Sequence, residues 1–135
     1  MSITEVKYSM LINGKDVESV SGNRFNRVSP GHDVSVGSYP AGTVEDIDLA
    51  TVAAREAFDK GAWPKLSGAE RAAYLRKVAG LIEQNAEELA RVEALESGKP
   101  ISQARGEMSS TAAIWYYAAT LAQHQYGDAH NALGN

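Results

Sequence analysis

An uncharged stretch near the end of the chain constrains the fold more than any other feature of the sequence. Residues 108–127 contain no Asp, Glu, Lys or Arg in 20 positions. Small and apolar residues recur at helical spacing in a stripe formed by Ala104, Met108, Ala112, Trp115, Ala119 and Ala122. Serine, threonine, glutamine and histidine interrupt the stretch, so it is too polar for a membrane span. The pattern predicts a helix that is buried on most of its sides.

The rest of the chain offers this helix little cover. Its patterns predict three amphipathic helices and a few short strands, which are too few to bury a helix on most sides. We therefore expect the chain to be a piece of a larger protein. We also expect an exposed apolar face on the helix of residues 108–127, which favours poor solubility or self-association.

The first 42 residues predict strands and tight turns. Four runs are rich in apolar or β-branched residues and are bounded by turn-forming residues: 8–12, 15–20, 24–28 and 34–39. Asn13-Gly14 lies between the first two runs. This dipeptide is typical of a type I′ hairpin turn, because both central positions of that turn need a positive φ.

Helical periodicity replaces the strand pattern from Thr43 onward, and we assign residues 43–126 to helices and 127–135 to a loop. The helices are predicted to begin at Thr43, Ser67, Asn85 and near Pro100, and the last runs toward Gln125. Gly61 and Gly98 end the first and third helices. One face of the first helix is expected to be apolar, with Ile47, Ala50, Ala54, Ala57 and Phe58.

Composition excludes several classes of function. The net charge is −4 and the basic residues are scattered, so a nucleic-acid partner is not expected. The N-terminal residues lack an apolar segment, which argues against a secretory signal or a membrane anchor. The chain contains no cysteine, which excludes disulfides, thiolate metal sites and a thiol nucleophile, and makes a reducing cytoplasm the default location.

The sequence shows no recognised catalytic or nucleotide-binding motif. His32, His124 and His130 lack metal-ligand spacing; we expect His124 to be packed or hydrogen-bonded and His130 to be solvated. The aromatic run Trp115-Tyr-Tyr117 is either a binding platform or, as we favour at this spacing, a packing surface. The carboxylates of Glu87, Glu88, Glu93 and Glu96 are mostly explained by a solvated helix face.

Glu96 stands apart because it lies in the last turn of the third helix. An acidic side chain there is disfavoured by roughly 0.3–1 kcal/mol, since that end of the helix dipole is negative. Two interpretations remain open: Lys99 offsets the charge, or Glu96 holds a cation.

Several stretches together resemble the aldehyde dehydrogenase superfamily in order and spacing. They are Ile12-Asn-Gly-Lys15, Ser29-Pro-Gly31, Val36-Gly37, Glu45-Asp-Ile-Asp48, Ala53-Ala-Arg55, Ala57-Phe58, Trp63-Pro64, Glu70-Arg71 with Leu75, Glu93-Ala-Leu-Glu-Ser-Gly-Lys-Pro100 and Trp115-Tyr-Tyr-Ala118. The resemblance implies an α/β fold in which residues 1–135 form the N-terminal, outer part of a Rossmann-like cofactor-binding domain. It also implies an NAD(P)-dependent oxidation of an aldehyde to a carboxylic acid by the whole enzyme.

The resemblance further implies that the chemistry lies outside this chain. Members of the family attack the aldehyde with a cysteine thiolate, pass hydride to the nicotinamide and use a glutamate to activate water. We expect no catalytic or cofactor-binding residue here, only a structural role beside the rest of the polypeptide in a homo-oligomer.

Two minor sites follow from the same resemblance. Glu96, with the backbone carbonyls of Val28 and Arg27, matches positions that hold Na⁺ or K⁺ in many members. Arg105 and Ser109 match the helix that lines the substrate tunnel, although a plain surface role is the alternative.

Three hypotheses therefore stand. The leading one is an inactive segment of an aldehyde dehydrogenase. The alternative is a free-standing helical binding module derived from that family, which would be a compact monomer or dimer with cooperative unfolding. An independent small enzyme is the least favoured, because no catalytic constellation is visible.

Overall fold

The computed structural model describes residues 6–124 and Gly127. The predictions for His130 and for most of the 127–135 loop lie outside the described residues. The fourth helix ends at Leu121, one turn before the predicted end near Gln125.

The predicted hairpin is confirmed. Strand β2 (Met10–Ile12) pairs antiparallel with β3 (Lys15–Val17), and Ile12 faces Lys15 across the turn. Asn13 and Gly14 both have positive φ, at 53° and 72°. This is the backbone that a type I′ turn requires, and it is why Asn-Gly is favoured there.

A second, three-stranded sheet contains the other strands. Strand β5 (Ser35–Pro40) lies in the middle, with β1 (Val6–Lys7) parallel on one side and β4 (Arg24–Val28) antiparallel on the other. The guanidinium of Arg24, on β4, donates to the backbone oxygens of Tyr8 and Ser38 at 2.6 and 2.7 Å, and so links β4 to the other strands of the sheet. The side chain also pairs with Glu18 beside the hairpin.

The four predicted helices are present. They are α1 (Val44–Lys60), α2 (Gly68–Gln84), α3 (Ala86–Ser97) and α4 (Ile101–Leu121), with a short 3₁₀ turn at Trp63–Lys65. Thr43 and Ser67 are N-caps in capping boxes, with Asp46 and Glu70 at the third helical positions. Gly98 ends α3 with a left-handed φ of 75°.

Alanine side chains form the contact between the helices. The buried positions on α2, α3 and α4 are Ala72, Ala79, Ala90, Ala94, Ala104, Ala112 and Ala119. Gly68 lies against Ala122, and the Tyr116 hydroxyl donates to Glu83 at 2.9 Å, so α2 and α4 are antiparallel. The predicted stripe on α4 is therefore the face that packs against α2 and α3.

The other sides of α4 are exposed. This agrees with the hypothesis that the chain is a piece of a larger protein. The exposed large side chains on this helix include Ile114 and Tyr117, at 66% and 64% of full exposure. No helix among residues 6–124 is long and apolar enough to cross a membrane.

The apolar face expected for α1 is not buried in this chain. Ile47 and Phe58 are 62% and 68% exposed, and the buried residue of α1 is Asp46. Periodicity correctly identified the helix, but the described chain leaves this face largely exposed.

Candidate functional site

The carboxylate of Glu96 joins the end of α3 to the three-stranded sheet. The Tyr39 hydroxyl, from β5, donates a short hydrogen bond to Oε1 of Glu96. The Arg27 guanidinium, from β4, lies 3.1 Å from Oε2. Both carboxylate oxygens therefore have partners from the sheet. These contacts compensate an acidic residue in the last turn of a helix that has no basic residue there.

Stacked aromatic rings hold Tyr39 in place. Its ring is 4.6 Å from that of Tyr8, nearly parallel, and 5.7 Å from that of Phe25. The Tyr8 ring covers Gly37, where an added Cβ would lie 2.6 Å from a ring carbon. Burial, followed by the hydrogen bond to Glu96, raises the pKa of Tyr39 above its usual range. Tyr39 is therefore a stable proton donor to Glu96.

Lys99 is not the partner of Glu96. Its Nζ lies 2.6 Å from a carboxylate oxygen of Glu93 and 2.6 Å from one of Glu107. Hydrogen bonds to Glu107 and Glu93 raise the pKa of Lys99 and so favour its charged form. The interpretation that Lys99 offsets Glu96 is therefore wrong, because the lysine bridges α3 to α4 instead.

The residues assigned to a cation fit such an ion poorly. Glu96 is already neutralised by the positive charge of Arg27, and Val28 lies at an irregularity in the pairing of β4 with β5. A cation at Glu96 would meet a guanidinium that already lies 3.1 Å from the same carboxylate. No group of three His, Asp or Glu among residues 6–124 is arranged to hold a metal ion. The site stays a prediction from the resemblance.

The two predicted tunnel residues lie on the exposed surface of α4. Arg105 makes a bidentate contact with Glu87 of α3, at 2.8 and 2.6 Å. Ser109 is exposed one turn further along α4. The two residues share a helix, and the Arg105 contact links α4 to α3.

The histidines and aromatic residues of the described chain take structural positions. Nδ1 of His32 lies 3.1 Å from Oγ of Ser29, which superficially resembles a nucleophile with its base. Ser29 is 1% exposed, however, and the pair closes a tight turn in which Asp33 N–H donates to the Ser29 carbonyl. His124 is exposed and bonds to the backbone oxygen of Thr120, so the expectation of a hydrogen-bonded residue is confirmed.

The run Trp115-Tyr-Tyr117 does not form one platform. Trp115 is half-buried on the packing stripe, Tyr116 bonds to Glu83, and Tyr117 points to solvent. The sequence favoured a packing role for this run, and among the three residues Trp115 has that role.

The sequence did not reveal the hydrogen bonds that Asp46 accepts from Ser19, Val20 and Thr43, a set that we call the Asp46 clamp. This carboxylate accepts from the Ser19 hydroxyl at 2.7 Å and from the Val20 N–H at 3.1 Å. It also accepts from the backbone N–H and the hydroxyl of Thr43, at 2.8 and 3.0 Å. Hydrogen bonds from the Thr43 backbone and then Ser19 lower the pKa of Asp46 to about 2. Only the capping half of this network was visible in the sequence.

Among the described residues, the side-chain clusters are arranged to stabilise the fold rather than to catalyse a reaction. The clusters around Glu96, Lys99 and Asp46 each join separate parts of the chain; the charges of Glu96 and Lys99 are met by opposite charges, and that of Asp46 by neutral hydrogen-bond donors. The chain has no cysteine, and the hydroxyl of the Ser29–His32 pair belongs to a buried serine within a tight turn.

Solved structures share this fold over nearly the whole chain. An NAD-dependent aldehyde dehydrogenase from Sinorhizobium meliloti superposes with a TM-score of 0.91 and 48% identity, over 97% of this chain and 26% of that protein. A betaine aldehyde dehydrogenase from Staphylococcus aureus, solved with NAD⁺, gives 0.87 and 30% identity, over 93% and 25%. The fold is therefore one of the α/β oxidoreductases.

Sequence comparison places the chain within that class. The model of the aldehyde dehydrogenase family matches residues 17–134. Aldehyde dehydrogenase 1 of Tanacetum cinerariifolium is 46% identical over 75% of this chain and 20% of its own length. Family 2 member C4 of Arabidopsis thaliana is 37% identical over 95% and 26%. The chain belongs to the aldehyde dehydrogenase family.

The chain spans about a quarter of the length of these relatives. The predicted family and fold class are confirmed, and so is the expectation that the chain corresponds to one part of such an enzyme.

Proposed function

We propose that this chain is a supporting segment of an NAD(P)-dependent aldehyde dehydrogenase, in the outer part of its cofactor-binding domain. The whole enzyme would oxidise an aldehyde to the carboxylic acid. The observation that carries the proposal is the superposition of 97% of the chain on an aldehyde dehydrogenase at 48% identity. The role of these residues would be to hold the cofactor domain in shape, through the contacts of Glu96, Lys99 and Asp46.

The reacting groups would come from elsewhere in the enzyme. Aldehyde oxidation by this route needs a thiolate nucleophile, and the chain contains no cysteine. When bound, a nicotinamide cofactor accepts the hydride. The similarity to proteins named as NAD-dependent or solved with NAD⁺ supports NAD, and NADP is the alternative. We propose a cytoplasmic location and a homo-oligomer for the whole enzyme.

The proposal predicts that the purified chain has no aldehyde dehydrogenase activity. Mixed with NAD⁺ or NADP⁺ and a panel of aliphatic, aromatic and amino-aldehydes, it should give no rise in absorbance from reduced cofactor. A complete aldehyde dehydrogenase assayed in parallel is the positive control. Aldehyde-dependent reduction that co-purifies with the chain would overturn the proposal and revive the independent-enzyme hypothesis.

The assignment of Arg105 and Ser109 to a substrate tunnel has its own test in the complete enzyme. Arg105→Ala and Ser109→Ala should each raise KM for the aldehyde severalfold while leaving thermal stability nearly unchanged. Glu87→Ala is the matched control, because it breaks the ion pair with Arg105 and leaves the arginine in place. Equal effects of Arg105→Ala and Glu87→Ala on every parameter would assign Arg105 to the surface ion pair alone.

A further inference from the structure

We propose that the guanidinium of Arg27 is a built-in counterion for Glu96, and that it makes the junction between the sheet and α3 independent of Na⁺ and K⁺. The inference concerns how this junction is neutralised, so it holds whichever aldehyde the enzyme uses. It also departs from the cation site that the family resemblance implies.

The first support is the position of the negative charge. Glu96 lies in the last turn of α3, where the backbone carbonyls already create a negative potential. Its side chain is only 23% exposed, so water screens it incompletely. A carboxylate in this position needs a positive partner.

The second support is that Arg27 is the basic residue that reaches it. Lys99, which is near Glu96 in the sequence, is held 2.6 Å from both Glu93 and Glu107. The guanidinium of Arg27 comes from β4 and contacts Oε2 at 3.1 Å. Within the described part of the chain, Glu96 is the carboxylate with which Arg27 forms an ion pair.

The third support is that the remaining oxygen is satisfied without a cation. Tyr39 donates its hydroxyl proton to Oε1, and the stacked rings of Tyr8 and Phe25 hold Tyr39 in that position. The guanidinium cation thus contacts one oxygen, and a neutral hydroxyl donates to the other. A metal cation at Oε2 would have to displace the guanidinium or accept its repulsion.

The test compares thermal unfolding in chloride salts of Na⁺, K⁺ and choline at a matched ionic strength of about 0.15 M, where screening acts over about 8 Å. Choline is too large to enter a small oxygen cage and reports the effect of ionic strength alone. We expect the Tm of the unmodified protein to be the same in the three salts.

Removing the counterion should create a cation requirement. For Arg27→Ala we expect a lower Tm in choline chloride and a recovery of about 4 °C in Na⁺ or K⁺, the size of shift given by a ligand near tenfold its Kd. Arg27→Lys keeps the positive charge and should remain insensitive to the choice of salt. Sodium-23 NMR gives a second readout: line broadening should appear with Arg27→Ala and be absent from the unmodified protein.

Arg55→Ala is the matched control, because it breaks an exposed arginine–carboxylate pair with Asp59 on α1. It should show no selective response to Na⁺ or K⁺. A higher Tm of the unmodified protein in Na⁺ or K⁺ than in choline would overturn the proposal. So would an Arg27→Ala protein that neither salt stabilises and that leaves the sodium line unchanged.

Discussion

Alanine in place of Gly68 should destabilise the protein by about 1–3 kcal/mol, although it adds a single methyl group. Gly68 is the first residue of α2, and it lies against the end of α4. A Cβ built there would be 2.4 Å from the backbone oxygen of Ala122 and 3.3 Å from Cα of Gln123. Backbone atoms cannot move aside as a flexible side chain can, so the two helices must separate.

Gly80→Ala is the matched control for this prediction. It makes the same change on the same helix, but the nearest atom to the new Cβ is the Tyr116 hydroxyl oxygen at 3.9 Å. Here we expect stabilisation by roughly 0.5–1 kcal/mol, because alanine loses less backbone entropy than glycine in a helix. Urea unfolding followed by circular dichroism compares the two. Equal stabilities would show that α2 and α4 are not in close contact at Gly68.

Loss of the carboxylate of Asp46 should have the second large effect. Asp46→Ala removes the acceptor for four hydrogen bonds, which come from Ser19, Val20 and Thr43. The buried hydroxyl of Ser19 and the N–H of Val20 then lose their acceptor, and α1 loses half of its capping box. We expect the Tm to fall by about 5–10 °C. Asp48→Ala, at an exposed position of the same helix, should leave the Tm nearly unchanged.

The same clamp should give a defined dependence of stability on pH. The folded-state pKa of Asp46 is lowered from 3.8 to about 2, so the folded protein holds the charged form more strongly than the unfolded chain does. Its contribution is therefore fully present above about pH 4 and is lost as the pH falls toward 2. Asp46→Asn should flatten this part of the Tm profile, measured between pH 2 and 7 relative to the unmodified protein. If the Tm of Asp46→Asn falls below pH 4 as steeply as that of the unmodified protein, the acid sensitivity belongs to other carboxylates.

Local signals in the sequence predicted local structure well. Asn13-Gly14, the helix starts at Thr43 and Ser67 and the end of α3 at Gly98 were all identified correctly. Each depends on backbone geometry and hydrogen bonds that span at most a few residues. All the residues that form such a turn or cap lie within a few positions of one another, so the local sequence is enough to predict it.

Long-range partners were the part that the sequence could not supply. Tyr39 and Glu96 are 57 residues apart, and Ser19 and Asp46 are 27 apart. Proximity in sequence offered Lys99 as one of two partners for Glu96, whereas the fold brings Arg27 to it from β4. Which charges meet depends on how the sheet and helices are packed, and that information is not contained in spacing or charge pattern alone.

The apolar face of α1 illustrates the same limit for hydrophobic residues. Periodicity correctly assigned one face to Ile47 and Phe58, but both are largely exposed in this chain. An apolar stripe predicts that something covers it and does not identify the covering element.

The alanine contacts between α2, α3 and α4 have a thermodynamic consequence. No large apolar side chain of the described residues is fully buried; the bulkiest residue with less than 2% exposure is Ser29. Unfolding then newly hydrates little hydrocarbon, so the heat-capacity increment is small for the chain length. A small increment flattens the curve of stability against temperature, and the protein gains little on cooling from the hydrophobic effect. Cohesion between these helices comes instead from dispersion between closely spaced backbones, which a single misplaced methyl group is enough to disrupt.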